Sequence, residues 1–328
     1  MLKALRLHRN EMPYPPPQDV IKAVRKGLSK LNRYADPEEL ERLRGLLADY
    51  SGVSKRHIIL SPGSDLLLRE IIHTFSRGRR VVMVSPSYFR TVQAAKQFAP
   101  RRLRIRLSPP AFDLNSEILM DLLEKPSLVI IDNPNNPTGS MLLDRQAVEA
   151  IVERGETLFV IDEAYYEFSG FTLADMVADH PNLAVTRTMD KAFSLAGARV
   201  GYTIAGEAFQ GALSSFSIFL SRLSLHAAME ALRNRDYVRR NVHRIIEERE
   251  RLRQALDELG IHVYPSSTNF LLLRAEVPDV ARRLRDAGVL VLDVSDQLPP
   301  GFIRVSIGTR EENDAFLTRY AKVRQSCD

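Results

Sequence analysis

Arg187-Thr188-Met189-Asp190-Lys191-Ala192-Phe193-Ser194-Leu195-Ala196-Gly197-Ala198-Arg199-Val200-Gly201-Tyr202 is the stretch on which the fold turns. The apolar run from Leu183 to Thr188 leads into it and reads as a buried strand. Such a strand delivers Lys191 to its carboxyl end, where ligands bind in open α/β sheets. An amine held there, partly desolvated and near a second cation, has its charged form disfavoured. It then becomes a nucleophile toward an aldehyde. The alternative is a lysine in a surface loop, and the choice between the two rests on the remainder of the chain.

Upstream of this stretch, apolar strands alternate with helices. Strands are expected at 80–84, 103–107, 127–132, 157–161, 182–187 and 200–204, with helices near 89–98, 116–124 and 144–153. Continuous apolar strands separated by helices predict an α/β fold: a mostly parallel sheet sandwiched by helices. Residues 1–17 read as an arm in which Leu5 to His8 form a short strand, followed by helices carrying Val20, Ile21, Val24 and Leu28 and then Glu38 to Tyr50. Beyond residue 210 the rhythm changes. A long charged helix is expected from about 237 to 259. Short strands follow at 262–264, 269–274, 289–292 and 302–307, with helices at 278–287 and 310–324, which describes a smaller C-terminal α+β domain.

The chain has 328 residues, 45% hydrophobic and 27% charged, with a net charge of +5. That is ordinary for a globular protein with a buried core. Basic and acidic residues are interleaved, as in Glu247-Glu248-Arg249-Glu250-Arg251, so the positive balance reads as solvated helix faces and not as a nucleic-acid surface. The single cysteine, Cys327, excludes an intrachain disulfide and a cysteine metal site. No apolar run reaches membrane-spanning length and no signal-peptide core is present, which makes the cytoplasm the default location. The seven histidines lack metal-ligand spacing, and no metal is expected.

Several short motifs sit where strands end. Gly63-Ser64-Asp65 opens a helix, and the N–H groups of a helix start attract anions. Simple capping by Ser64 is compatible with this. Asp132-Asn133-Pro134-Asn135-Asn136-Pro137-Thr138-Gly139 follows the strand 128–131 and forms a rigid turn able to aim Asn136 at a ligand. Asp162, at the end of Leu158 to Ile161, needs a partner. A protonated ring nitrogen, a salt bridge or a helix cap would each serve. Tyr88, in Ser85-Pro86-Ser87-Tyr88-Phe89, either stacks on a flat cofactor or packs in the core. Arg304, mid-strand in Phe302-Ile303-Arg304-Val305-Ser306, calls for a bidentate anion or a structural salt bridge.

Together these pieces resemble the fold-type-I pyridoxal-phosphate enzymes, and within them the histidinol-phosphate aminotransferase family. The resemblance runs from Asn10-Glu11 to Ile307-Gly308-Thr309-Arg310. It is most specific at Asn135 to Gly139, at Asp162-Glu163-Ala164-Tyr165, and at Arg187-Thr188 with Lys191-Ala192-Phe193 and Gly197-Ala198-Arg199. It implies an N-terminal arm over 1–25 packed with the small domain, a large cofactor domain over 26–235 and a small domain over 236–328. It implies pyridoxal 5'-phosphate as cofactor, with Lys191 as the Schiff-base lysine and proton carrier, Asp162 on the pyridinium nitrogen, and Asn136 and Tyr165 on the ring hydroxyl. Tyr88 would stack on the ring, and Gly63, Ser64, Asp65, Thr188 and Arg199 would form the phosphate site. Tyr34 would reach the phosphate of a neighbouring subunit, which implies a homodimer with shared sites. Arg304, Asn136 and Asn10 would bind the substrate. The reaction implied is ping-pong transfer of an amino group from a small-molecule donor to a 2-oxo acid.

The resemblance has departures. Asp190 stands where the family usually has Ser, and Leu66 where it has Glu. Leu292, in Val289-Leu290-Val291-Leu292-Asp293, occupies the place of a second arginine for the substrate's anion, which predicts weakened phosphate binding unless another cation such as Arg222 fills the gap. Ser217-Ile218-Phe219-Leu220 replaces the usual Pro-Tyr-Asn. Overall similarity makes histidinol phosphate the leading substrate, while Leu292 predicts that, unless another cation fills the gap, an amino acid with an apolar or aromatic side chain reacts better. An aromatic or apolar amino-acid aminotransferase, a phosphothreonine-decarboxylase-like enzyme and a catalytically silent cofactor-binding protein are the alternatives.

Overall fold

The computed structural model describes residues 4–154, 156–214 and 220–325. Ser217, Ile218, Phe219 and Cys327 lie outside the described residues. The chain enters as a short strand, β1 (Leu5–Arg6), and then builds a seven-stranded sheet. Its members are β2 (Ile58–Ser61), β3 (Arg80–Ser85), β4 (Arg102–Arg106), β5 (Ser127–Asp132), β6 (Leu158–Asp162), β7 (Leu183–Thr188) and β8 (Gly201–Ala205). The spatial order is β2-β8-β7-β6-β5-β3-β4. The α/β reading with a mostly parallel sheet is borne out: β3 to β7 pair in parallel, and β8 alone is antiparallel to its neighbours β7 and β2.

The reversal at β8 has a local cause. A parallel return needs a crossover of about a dozen residues or more, usually helical. The connection 189–200 contains no helix, and Met189 N–H donates to the Val200 carbonyl at 2.8 Å. The lysine-bearing segment is thus a loop pinched shut at its base, projecting from the carboxyl end of the sheet.

Alternation along each strand feeds two cores. Leu60, Val82, Val129, Ile131, Ile161 and Val185 pack on one face, while Ile59, Val81, Met83, Ile130, Val160 and Ala184 pack on the other with Leu67, Leu68, Ile71 and Ile72 of helix Ser64–Phe75. Both faces are covered, which is why these strands read as unbroken apolar runs.

The C-terminal part forms a second, four-stranded antiparallel sheet of β9 (His262–Val263), β10 (Phe270–Arg274), β12 (Leu292–Asp293) and β13 (Phe302–Ser306), in the order β12-β13-β10-β9. The single strand expected over 289–292 is instead two. β11 (Val289–Leu290) pairs in parallel with β1 of the arm, and past Val291 the chain turns to pair with β13. The long helix also begins earlier than expected, at Arg235–Glu258, preceded by a separate helix Arg222–Arg233. The two meet at Asn234, whose φ of −99° and ψ of 37° leave the helical region. Among the described residues no helix is long and apolar enough to cross a membrane.

Candidate active site

Three parallel strands end side by side: β5 at Asp132, β6 at Asp162 and β7 at Thr188, with Asp132 in register with Asp162. Over these ends lies a cleft of about 470 Å³. Nearly every residue singled out from the sequence lines it: Asn10, Ser64, Asp65, Tyr88, Asn136, Asp162, Tyr165, Thr188, Lys191, Arg199 and Arg304. The side chains come from both sheets and from the arm: Asn10 follows β1 and reaches Tyr165, and Arg304, on β13, reaches Asn136.

Lys191 Nζ donates to the Arg9 carbonyl at 3.1 Å. Burial, reinforced by the positive charge of Arg304, lowers its pKa to about 8. A neighbouring cation was expected from the sequence. Arg304, from the other sheet, fills that place more than Arg199 does.

Asp162 is 5% exposed and accepts one hydrogen bond, from Ala164 N–H at 3.1 Å. Burial, with Asp132 as a nearby like charge, raises its pKa to about 8. No ion pair to it is found among the described residues, so the carboxylate faces the cleft in want of a cation. Asp132 has the opposite condition. It accepts from Ser87 Oγ at 2.8 Å, Asn135 Nδ2 at 3.1 Å, and the N–H groups of Asn136 at 2.8 Å and Tyr88 at 3.3 Å. Burial holds it near 6. It fixes the loops that present Tyr88 and Asn136, a role not assigned to it from the sequence.

A relay of polar groups crosses the cleft floor. Arg304 Nη1 donates to Asn136 Oδ1 at 2.6 Å, and Asn136 Nδ2 donates to Tyr165 Oη at 3.3 Å. Asn10 Nδ2 donates to the same phenol oxygen at 2.8 Å. Asn10 holds the left-handed φ of 54° and is fixed by Ser306, whose Oγ donates to its Oδ1, and by Asn269, whose Nδ2 donates to its carbonyl. The structural salt bridge considered for Arg304 is not present among the described residues. Its remaining Nη2 donates to the His8 carbonyl at 2.8 Å, and Nε has no partner.

At the other end, Gly63 (φ 91°) precedes helix Ser64–Phe75. Gly63, not Ser64, is the N-cap residue, and no side chain caps the helix, so capping by Ser64 does not occur. A Cβ at Gly63 would collide with the Arg199 guanidinium. Arg199 itself has a left-handed φ of 54° and is ion-paired with both Asp65 and Asp190.

Other expectations fall outside the cleft. Tyr34 is 96% exposed and does not line the cleft of its own chain. Leu66 is half-buried beside it without facing in. Arg222 does not compensate for Leu292: its guanidinium is held by Asp36 and Glu39 at 2.8 Å each. Leu292 lines the cleft, directly across the β12–β13 register from Arg304. Arg187 is structural. It is buried against Glu163 at 2.9 Å and lies over the Tyr166 ring at 3.8 Å. The cleft also contains His8 and Arg9, which the sequence does not single out because nothing local in the arm reveals its pairing with β11, and Arg90, from the first turn of the helix Phe89–Phe98. Among the described residues no group of three or more His, Cys, Asp or Glu side chains is arranged to hold a metal ion.

Comparison with known proteins places this geometry among relatives. The profile of the family described as aminotransferase class I and II matches residues 3–319. A histidinol-phosphate aminotransferase of Sulfurisphaera tokodaii is 38% identical over 320 residues, covering 95% of this chain and 88% of that protein. One from Thermococcus gammatolerans is 36% identical, covering 95% and 90%. The crystal structure of histidinol-phosphate aminotransferase from Sinorhizobium meliloti in complex with pyridoxal-5'-phosphate superposes with a TM-score of 0.87 at 28% identity, covering 99% of this chain and 92% of that one.

Proposed function

The chain belongs to the class I and II aminotransferases, and from that premise we propose that the cleft around Lys191 binds pyridoxal phosphate and uses histidinol phosphate as amino donor and a 2-oxo acid as acceptor. The observation that carries the reading is the placement of a partly buried amine, Lys191, in one cleft with a buried carboxylate, Asp162, that has no cation of its own among the described residues.

The residues present fit the cofactor. Asp162 would accept a hydrogen bond from the protonated ring nitrogen, which supplies the positive charge its surroundings lack. Asn136 and Tyr165 would bind the ring hydroxyl, with Tyr88 against the ring face. The N–H groups at Gly63 to Asp65, together with Thr188 and Arg199, would hold the phosphate. When bound, the cofactor supplies an aldehyde carbon and an electron-withdrawing ring, so that an amino group is taken from one substrate and given to another in turn. Lys191, with its pKa brought to about 8, is suited to holding and moving a proton at Nζ near neutral pH. Arg304 would orient the donor through its anionic group, steadied by Asn136 and the His8 carbonyl. Tyr34, exposed on its own chain, would complete the phosphate site of a partner subunit in a homodimer.

The named relatives support histidinol phosphate as donor. A second reading, an aromatic or apolar amino acid as donor, is favoured by Leu292, which puts an apolar side chain opposite Arg304. The experiment that separates them is a half-reaction screen: donors are added singly to the cofactor-loaded enzyme while its absorbance is followed. Conversion fastest with histidinol phosphate supports the first reading. Conversion confined to carboxylate donors supports the second.

A further inference from the structure

The anion end of the cleft already holds an anion of its own. Arg199 presents two terminal nitrogens, and both are taken: Nη2 by Asp65 Oδ1 and Nη1 by Asp190 Oδ2. The two carboxylates differ in what else holds them. Asp65 stands in the first turn of helix Ser64–Phe75, where the helix dipole favours a negative charge, and its second oxygen has Arg90 Nε at 3.5 Å. Asp190 has neither support. It is 6% exposed, and its Oδ1 is buried without a hydrogen-bond partner among the described residues. Its backbone N–H donates to Thr188 Oγ1 at 3.1 Å, which keeps the residue against the cleft wall.

Resting on the proposed function, we infer that Asp190 competes internally with the cofactor's phosphate for Arg199 and sets the cofactor affinity of this enzyme. In the ligand-free protein Asp190 neutralises Arg199 and holds the guanidinium in position. When a phosphate arrives, it either shares Arg199 with the two carboxylates or displaces one of them. Releasing Asp65 leaves that group with Arg90 and the helix start. Releasing Asp190 leaves a buried carboxylate unpaired, which is costly. Either way the incoming dianion meets one more negative charge than a neutral side chain would present. The consequence is a cofactor held less tightly at its phosphate than Arg199 and the helix start alone would hold it, and hence more readily exchanged. Asp190 acts through Arg199 and is a positioning residue.

The test measures binding to ligand-free protein by equilibrium dialysis, using pyridoxal phosphate and its phosphate-free analogue pyridoxal as probes. Native protein is compared with Asp190→Asn, which keeps the shape, and Asp190→Ser. Both variants should bind pyridoxal phosphate about tenfold tighter or more, the scale of one charge-assisted contact. Pyridoxal affinity should stay within about twofold, which also certifies that the variants are folded. Ligand-free Asp190→Asn should melt lower than native, with a larger stabilisation on adding pyridoxal phosphate. Unchanged or weaker pyridoxal-phosphate binding in both variants, with pyridoxal binding intact, would overturn the inference and leave the proposed function standing. A native protein that binds neither probe would contradict the proposed function itself, and this inference with it.

Discussion

Arg304 Nη1 donates to Asn136 Oδ1 over 2.6 Å, and this contact joins the C-terminal sheet to the loop after β5 of the large sheet. Among the described residues the buried guanidinium has neutral oxygen acceptors, Asn136 Oδ1 and the His8 carbonyl, and no carboxylate partner, so its charge is left for an anion from outside. Arg304→Lys keeps the charge but loses the planar fork. Charge-assisted hydrogen bonds contribute roughly 1.5–3 kcal/mol each, so KM for the donor should rise about tenfold to a hundredfold, with a smaller effect on kcat. Steady-state kinetics with the two donor types check this. An unchanged KM would mean that Arg304 serves only to hold Asn136.

Leu292 faces Arg304 across two strands. An arginine introduced there gives a phosphate its second guanidinium, whereas a carboxylate is already satisfied by one. Leu292→Arg should therefore raise kcat/KM for histidinol phosphate about tenfold and leave carboxylate donors nearly unaffected. The ratio of the two kcat/KM values in native and variant enzyme measures it. No gain, together with a native preference for histidinol phosphate, would show that other cleft cations such as Arg9 already serve that phosphate.

Asp162 and Lys191 both cost the fold stability, and the two costs change with pH in opposite directions. Asp162 keeps its proton up to about pH 8 in the folded protein and has an ordinary value of 3.8. Between those pH values the folded state binds more protons, so ligand-free protein loses stability as pH rises from about 4 to about 8. Asp162→Asn should remove that slope, unfolding at higher urea than native at pH 8 and at the same urea at pH 4. The midpoints from urea unfolding with the cofactor removed provide the check.

Lys191 titrates near 8 when folded, against an ordinary 10.5. Its cost to folding is fully present below about pH 8 and fades as pH rises toward 10.5, where the unfolded chain also loses the proton. Lys191→Met should stabilise ligand-free protein at pH 7, and the difference from native should shrink by pH 10. A difference constant over that range would mean that the amine is solvated as an ordinary lysine.

The sequence made the strand-end chemistry legible because each motif follows a strand buried on both faces. Asp162, Asn136 and Lys191 could be assigned to the carboxyl edge from apolar runs alone. What stayed hidden depends on pairings distant in sequence. His8 and Arg9 reach the cleft only because β1 pairs with β11, and the split of 289–293 into two short strands is what sets Leu292 against Arg304. The role of Asp132 is hidden in the sequence because it accepts bonds from Ser87 and Tyr88 on a different loop. The ion pair of Asp190 with Arg199 depends on how a helix-free loop folds back, which no periodicity encodes.

Tyr34 tests whether the site is shared between subunits. It is almost fully exposed on its own chain, as expected of a side chain that acts across a subunit boundary. Mixing Tyr34→Phe with Lys191→Ala subunits should restore activity, since mixed dimers then carry one intact site. No recovery, with subunit exchange confirmed by mass, would mean that each site is built from a single chain.

The proposed chemistry requires the cofactor to be held by Lys191. Treating cofactor-loaded enzyme with borohydride and mapping the peptides locates that bond. A cofactor mass fixed on the peptide containing Lys191, and lost in Lys191→Ala, is the expected result. A label on another lysine, or no covalent label from a protein that retains its cofactor, would contradict it.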